Sequence, residues 1–150
     1  IMHKDEVDLF VKGLENAKSE FYLDSINKFK KLIKDFPDSE LCDDAVYNIG
    51  LCYFYMQQFQ KAIESFEKVI NYYPDSTISI LEGGNEFGKT AAKSFYGIIN
   101  CYLAVGDIEK AKLIIPKINN YENSYIITND KKVLYKELSL TIIEKYKLTQ

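Results

Sequence analysis

Residues 43–74 read DDAVYNIGLCYFYMQQFQKAIESFEKVINYYP, and this stretch decides the fold. Ala45, Ile49, Leu51, Cys52 and Tyr53 recur at helical spacing and stop near Met56-Gln57-Gln58. A second helical set follows in Phe59, Ala62, Ile63, Phe66, Val69, Ile70 and Tyr73, and Pro74 cannot continue it. Two amphipathic helices joined by so short a turn have to lie antiparallel. Gly50 inside the first helix costs up to about 1 kcal/mol relative to Ala. That cost is reasonable where two backbones approach closely, with Ala62 as the matching gap on the second helix.

The chain laid on itself repeats this unit. Shifted back by 37 residues, Gly13, Tyr22, Ser25, Phe29, Leu32 and Pro37 answer to Gly50, Phe59, Ala62, Phe66, Val69 and Pro74, with Asn16 as the departure. Three extra residues fall after Pro37, where a loop absorbs them. Shifted forward by 49, Tyr102, Gly106-Asp107, Ala111, Ile115 and Ile118 answer to Tyr53, Gln57-Gln58, Ala62, Phe66 and Val69. In this third copy Ile99 replaces the glycine, Ile115 the aromatic and Asn123 the proline. Pro116 predicts a kink or an early end in its second helix. Its spacing needs an insertion, which falls in residues 75–89. Beyond Thr128-Asn129-Asp130, read as a helix start, Val133, Leu134, Leu138, Ile142 and Tyr146 predict one more amphipathic helix over about 130–148. Repeat arrays need a terminal unit with one polar face, and this helix is read as that cap. The rival reading is a docking helix for a partner.

Small residues at positions eight and twenty, aromatics at eleven and twenty-four and Pro at thirty-two define the tetratricopeptide repeat. Counted from Asp43, the chain has Gly50, Tyr53, Ala62, Phe66 and Pro74 there. It therefore resembles that family. The resemblance implies an all-α, right-handed solenoid of about three antiparallel helix pairs (about 6–38, 43–76 and 90–123) plus the C-terminal helix, as one domain. It also implies a concave surface lined by the first helix of each pair. The expected partner-binding residues there are Phe10, Leu14, Tyr47, Leu51, Phe54, Tyr55, Lys93, Tyr96 and Asn100. Tyr and Phe give large contact area with few rotors to immobilise, which suits a groove that holds a protein or peptide. The opposing reading packs these aromatics between repeats. Chaperone-binding members grip a carboxylate through five side chains. The corresponding positions are Phe10, Leu14, Asn48, Lys93 and Gly97, of which only Asn48 and Lys93 match, so binding of chaperone tails is not expected. The closings Phe36-Pro37-Asp38-Ser39 and Tyr73-Pro74-Asp75-Ser76 look like the tetratricopeptide proteins of the bacterial cell envelope, of the BamD and Tol-Pal-associated type. That narrower resemblance implies a periplasmic or envelope-associated scaffold, anchored as a lipoprotein upstream of Ile1; cytoplasmic placement is the alternative. The chain opens Ile1-Met2-His3, which reads as a cut N-terminus.

Bulk properties narrow the remaining classes. Of 150 residues, 47% are hydrophobic and 27% charged, and the aromatics are 12 Tyr and 9 Phe without Trp. Only three Pro and seven Gly leave few turns for a β-sandwich. A net charge of −3 shows no excess of Lys and Arg of the kind nucleic-acid binding requires. No apolar run approaches the about 18 residues of a membrane span. Cys42 and Cys52 lie about 15 Å apart along one helix, beyond disulfide reach, and with Cys101 they read as buried thiols.

Catalytic chemistry finds little support. His3 is the one histidine and sits at the N-terminus, so no catalytic triad, metal site or cofactor is expected. Asp43-Asp44 read as first-turn carboxylates favoured by the helix dipole. Gly83-Gly84-Asn85-Glu86-Phe87-Gly88-Lys89-Thr90 satisfies the phosphate-loop pattern in letter. A phosphate loop needs a parallel sheet to present it, and helical repeats on both sides leave no room for one. The reading is a connecting loop that caps the next helix, with nucleotide binding through 83–90 as a remote alternative. A structural or homo-oligomerising helical module is the other alternative to a protein-binding scaffold.

Overall fold

A computed structural model describes residues 3–150. Ile1 and Met2, which carry the reading of a cut N-terminus, lie outside the described residues. Three antiparallel helix pairs follow one another: α1 (Lys4–Lys18) with α2 (Tyr22–Asp35), α3 (Cys42–Tyr55) with α4 (Phe59–Tyr72), and α5 (Thr90–Ala104) with α6 (Ile108–Ile118). A last helix, α7 (Tyr135–Leu148), packs on α5 and α6 through Ile143. This is the expected solenoid, each helix resting on its neighbours in sequence.

The turn inside each pair shows the repeat in its backbone. Glu20, Gln57 and Gly106 have φ of 65°, 61° and 81°, the left-handed residue that closes a helix. One hydrogen bond recurs beside them: Phe21 N–H to Asn16, Gln58 N–H to Tyr53 and Asp107 N–H to Tyr102, each 2.8 Å. These positions are separated by the same shifts of 37 and 49 residues that align the sequence copies. The third copy is therefore eroded in side chains yet still in register.

Glycine and phenylalanine set the spacing between helices. A Cβ on Gly13 would stand 2.6 Å from the Phe29 ring, and one on Gly50 2.7 Å from Phe66. Gly97 of α5 also meets the Phe66 ring, so that ring is wedged between two helix backbones. Where the third copy loses its glycine to Ile99 it also loses the aromatic, replaced by Ile115. α6 runs 11 residues, against 14 in α2 and α4, with Pro116 held inside its last turn, and a 3-10 turn (Asn119–Tyr121) follows.

Two expectations need correction. Thr128-Asn129-Asp130 does not start a helix. Asn129 and Asp130, with φ of 51° and 61°, form the two-residue turn of a hairpin. Its strands are β2 (Tyr125–Thr128) and β3 (Lys131–Leu134), and α7 begins only at Tyr135. Nor is the insertion 75–89 featureless. It contains a 3-10 turn, Ile80–Glu82, and a two-residue strand β1 (Glu86–Phe87) that pairs antiparallel with β2. The array is thus helical with one small three-stranded sheet joining the insertion to the hairpin. Gly88 fixes that junction. Its φ of 104° suits glycine, and a Cβ there would lie 2.6 Å from the Ser124 backbone.

Candidate functional site

The nine residues expected to line the first helices divide into three groups. Phe10 is fully buried and meets Phe29 edge-on at 5.5 Å, so it belongs to the core and lines no groove. Lys93 is equally inaccessible, and its charge is spent inside the protein. Tyr47 is half-buried between Phe66 and the Lys93 ammonium, which lies 4.2 Å from its ring centre. Leu14, Leu51, Phe54, Tyr96 and Asn100 are each partly accessible, and Tyr55 is 60% exposed. Tyr55 stacks on Tyr22 and meets Phe54 edge-on, and Tyr96 lies against Tyr135 of α7. Asn100 donates its side-chain N–H back to the Tyr96 carbonyl.

Lys93 is the hub of a buried polar cluster. Its Nζ lies 3.1 Å from Glu82 and 3.2 Å from Glu86. Asn48 donates to both Glu82 carboxylate oxygens, at 3.0 and 2.9 Å. Tyr135 of α7 donates its hydroxyl to Glu86. On α3, Asp43 accepts from the Thr90 hydroxyl, and Asp44 accepts from the Ser79 N–H at 3.0 Å. The second Asp44 oxygen is buried without a partner. These contacts tie α3, α5 and α7 to the insertion and the sheet. The two side chains that match a carboxylate grip, Asn48 and Lys93, already hold the chain's own Glu82.

Four carboxylates around one ammonium set the proton affinities. Burial, then the charges of Asp43 and Glu82, push Asp44 up to about 8. Burial raises Asp43 as well, against the Thr90 hydrogen bond. Burial alone would lower Lys93, but Glu82, then Tyr47, Glu86 and Asp44 outweigh it and hold it above its ordinary value. The Tyr135 hydroxyl is raised by burial and by Glu86. A lysine so held stays protonated and is no nucleophile or base at neutral pH.

Asp43 and Asp44 correct a sequence reading. They do stand in the first turn of α3, but both are buried and bonded to other elements rather than solvated. Glu82, Glu86 and Tyr135 are members of this buried cluster that pattern reading missed. One signal was available: α5 is apolar nearly all round, so a single Lys93 within it has to find anions in the interior.

Loop 83–90 makes no phosphate cradle. Lys89 Nζ donates to the Asp75 carbonyl at 2.8 Å, and its N–H donates to Ser124 at 2.9 Å. Thr90 is spent on Asp43, and the one strand in the loop is antiparallel and two residues long. The residue before α5 does cap it by position, Lys89, though without a side-chain bond. The cysteines are buried free thiols, with Cys101 pushed up to about 12 by burial. Among the described residues no helix is long and apolar enough to cross a membrane.

Comparison with known proteins agrees with this architecture. A family profile described as Tetratricopeptide repeat matches residues 44–76. No curated protein sequence matches the chain. Among solved structures, the Hsp90 co-chaperone Cns1 from Saccharomyces cerevisiae (delta69) is similar over 99% of this chain, with TM-score 0.65 and 14% identity. This chain spans 42% of that one. At such identity the likeness concerns the fold alone. With the matched segment, the in-phase turns and the glycine–phenylalanine contacts, the chain carries the tetratricopeptide-repeat fold.

Proposed function

We propose that this protein is an interaction scaffold that holds a partner segment against the first helices of its repeats. The observation that carries this reading is the row of accessible apolar side chains, Leu14, Leu51, Phe54, Tyr55 and Tyr96, on α1, α3 and α5. Core packing does not use them fully, whereas Phe10 and Lys93 on the same helices are consumed. Aromatic anchors of this kind carry much of the energy of protein interfaces. The buried cluster supports the reading from the other side. It seats the insertion against Asn48 and Lys93, so the partner surface lies toward the C-terminal ends of α3 and α5, around Tyr55 and Asn100.

The test is a double substitution, Tyr55→Ala with Tyr96→Ala, in protein whose melting is unchanged. A partner recovered with the wild type is measured by calorimetry against both forms. Loss of more than about tenfold in affinity is expected if each ring contributes as a typical anchor. Equal affinity for the two forms would overturn the reading.

The two Pro-Asp-Ser closings extend the proposal to a place, a scaffold of the bacterial cell envelope. Fractionation of cells producing the tagged natural protein is expected to recover it with membranes or periplasm. Recovery in the cytoplasmic fraction alone removes that extension and leaves the scaffold reading intact.

A further inference from the structure

We infer a second docking surface on the opposite side of the array: a lysine-walled groove between α2 and α4 that takes an acidic segment of a protein partner. The groove has a volume of about 490 Å³. Its floor is apolar, made by Val46, Ile49 and Tyr53 of α3, seen between the two outer helices. Its walls carry Lys30 and Lys34 from α2 and Lys61 and Lys68 from α4, with Glu64 as the opposing charge.

Three observations point to an acidic occupant. First, none of the four lysines forms an ion pair within 4 Å among the described residues, while Lys31, on the same helix, pairs with Asp35 at 2.8 Å outside the groove. Second, the protein as a whole is acidic at −3, so four cations facing one cleft against one carboxylate reverse the local sign. Third, the mouth keeps apolar surface in reach: Tyr72 is 75% exposed, and the Lys61 ammonium lies 5.6 Å from the Tyr53 ring centre. Lysines at such spacing steer a charged segment, and the apolar floor retains it once there. The volume is within the about 300–1,000 Å³ of ligand clefts, enough for the apolar side chains of one helical face. An amphipathic helix with bulky apolar residues on one face and Asp or Glu on its flanks meets all three requirements. Lysine offers point charges with no planar fork, which suits scattered carboxylates better than one bidentate contact.

The probe is a fluorescein-labelled amphipathic peptide with Leu and Phe on one face and Glu elsewhere. A second peptide replaces every Glu by Lys. Anisotropy is read on the full chain and on Lys34→Glu with Lys61→Glu. The acidic peptide is expected to bind, to weaken by about tenfold or more on charge reversal and to weaken again from about 50 to about 300 mM salt. Lys34→Gln with Lys61→Gln is expected to fall between, and Tyr72→Ala to weaken binding without changing its salt dependence. All three substituted positions are exposed, so far-ultraviolet circular dichroism is expected to stay that of the wild type. No binding of the acidic peptide, equal binding of the basic one, or indifference to charge reversal overturns the inference. So does lysine-dependent capture by phosphatidylserine vesicles without peptide binding, which would make the surface one for lipid.

Discussion

Phe66→Ala lowers the stability of this protein by about 3–5 kcal/mol, the range for removing a buried Phe. At this chain length that is a fall in melting temperature of roughly 10 °C. The ring is fully buried, and its edges face Gly50 of α3 and Gly97 of α5. It therefore holds two repeats at once, and its loss opens a cavity between helices that cannot both move in. The companion substitution makes the argument specific. In the wild type, Gly97→Ala sets a Cβ 2.7 Å from that ring, so it overpacks the site and costs about 1–3 kcal/mol. In the Phe66→Ala background the obstructing ring is gone. The added methyl then fills space and gains helix propensity of up to about 1 kcal/mol. The sign of the Gly97→Ala effect is expected to invert between the two backgrounds, as read in denaturant melts. Strict additivity would show that ring and glycine do not share one contact.

The same contacts explain how much of the fold the sequence discloses. Helix pairs, their turns and the register of the third copy follow from local periodicity and from the positions of Tyr53, Gln57, Gly106 and Pro74. Each depends on residues a few places apart. The sheet does not. Glu86 and Phe87 pair with Ile126 and Tyr125, about forty residues on, and two residues are too few for any alternating pattern. Asn129-Asp130 can begin a helix or turn a hairpin; what selects the hairpin is the distant partner strand. The candidate site divides in the same way. Tyr55 and Tyr96 keep accessible surface on the helices that the repeat phase assigns to them. Phe10 falls on an equivalent position yet turns inward because Phe29 stands opposite. Lys93 looks like a groove cation until Glu82 and Glu86 come back from the insertion to meet it.

Lys93→Met tests whether that insertion is held by charge. Breaking a buried pair by removing one partner costs about 3–5 kcal/mol, because the other charge stays buried without compensation. Here four carboxylates are left, so the upper part of that range is expected near pH 8. Backbone amides of the insertion, such as Ile78 and Leu81, lose protection in hydrogen exchange while those at the α1–α2 contact keep theirs. The pH dependence follows from Asp44. Its folded pKa, about 8, is raised above its unfolded value by burial, Asp43 and Glu82. A raised carboxylate binds its proton more tightly in the folded state, so its stabilising contribution is complete below about pH 4 and is lost as pH rises through about 8. Asp43, raised in the same direction, adds to that slope. Lys93 opposes both shifts, so the Met variant should show a steeper loss between pH 4 and 8, with most of its deficit recovered on acidification. Asp44→Asn keeps an acceptor for the Ser79 N–H but carries no charge. It is expected to melt above the wild type at pH 8, to match it near pH 4 and to flatten the profile between. If Lys93→Met melts like the wild type at pH 8, or if Asp44→Asn leaves the slope unchanged, the cluster is solvated in solution. Charge would then not be what seats the insertion on the repeats.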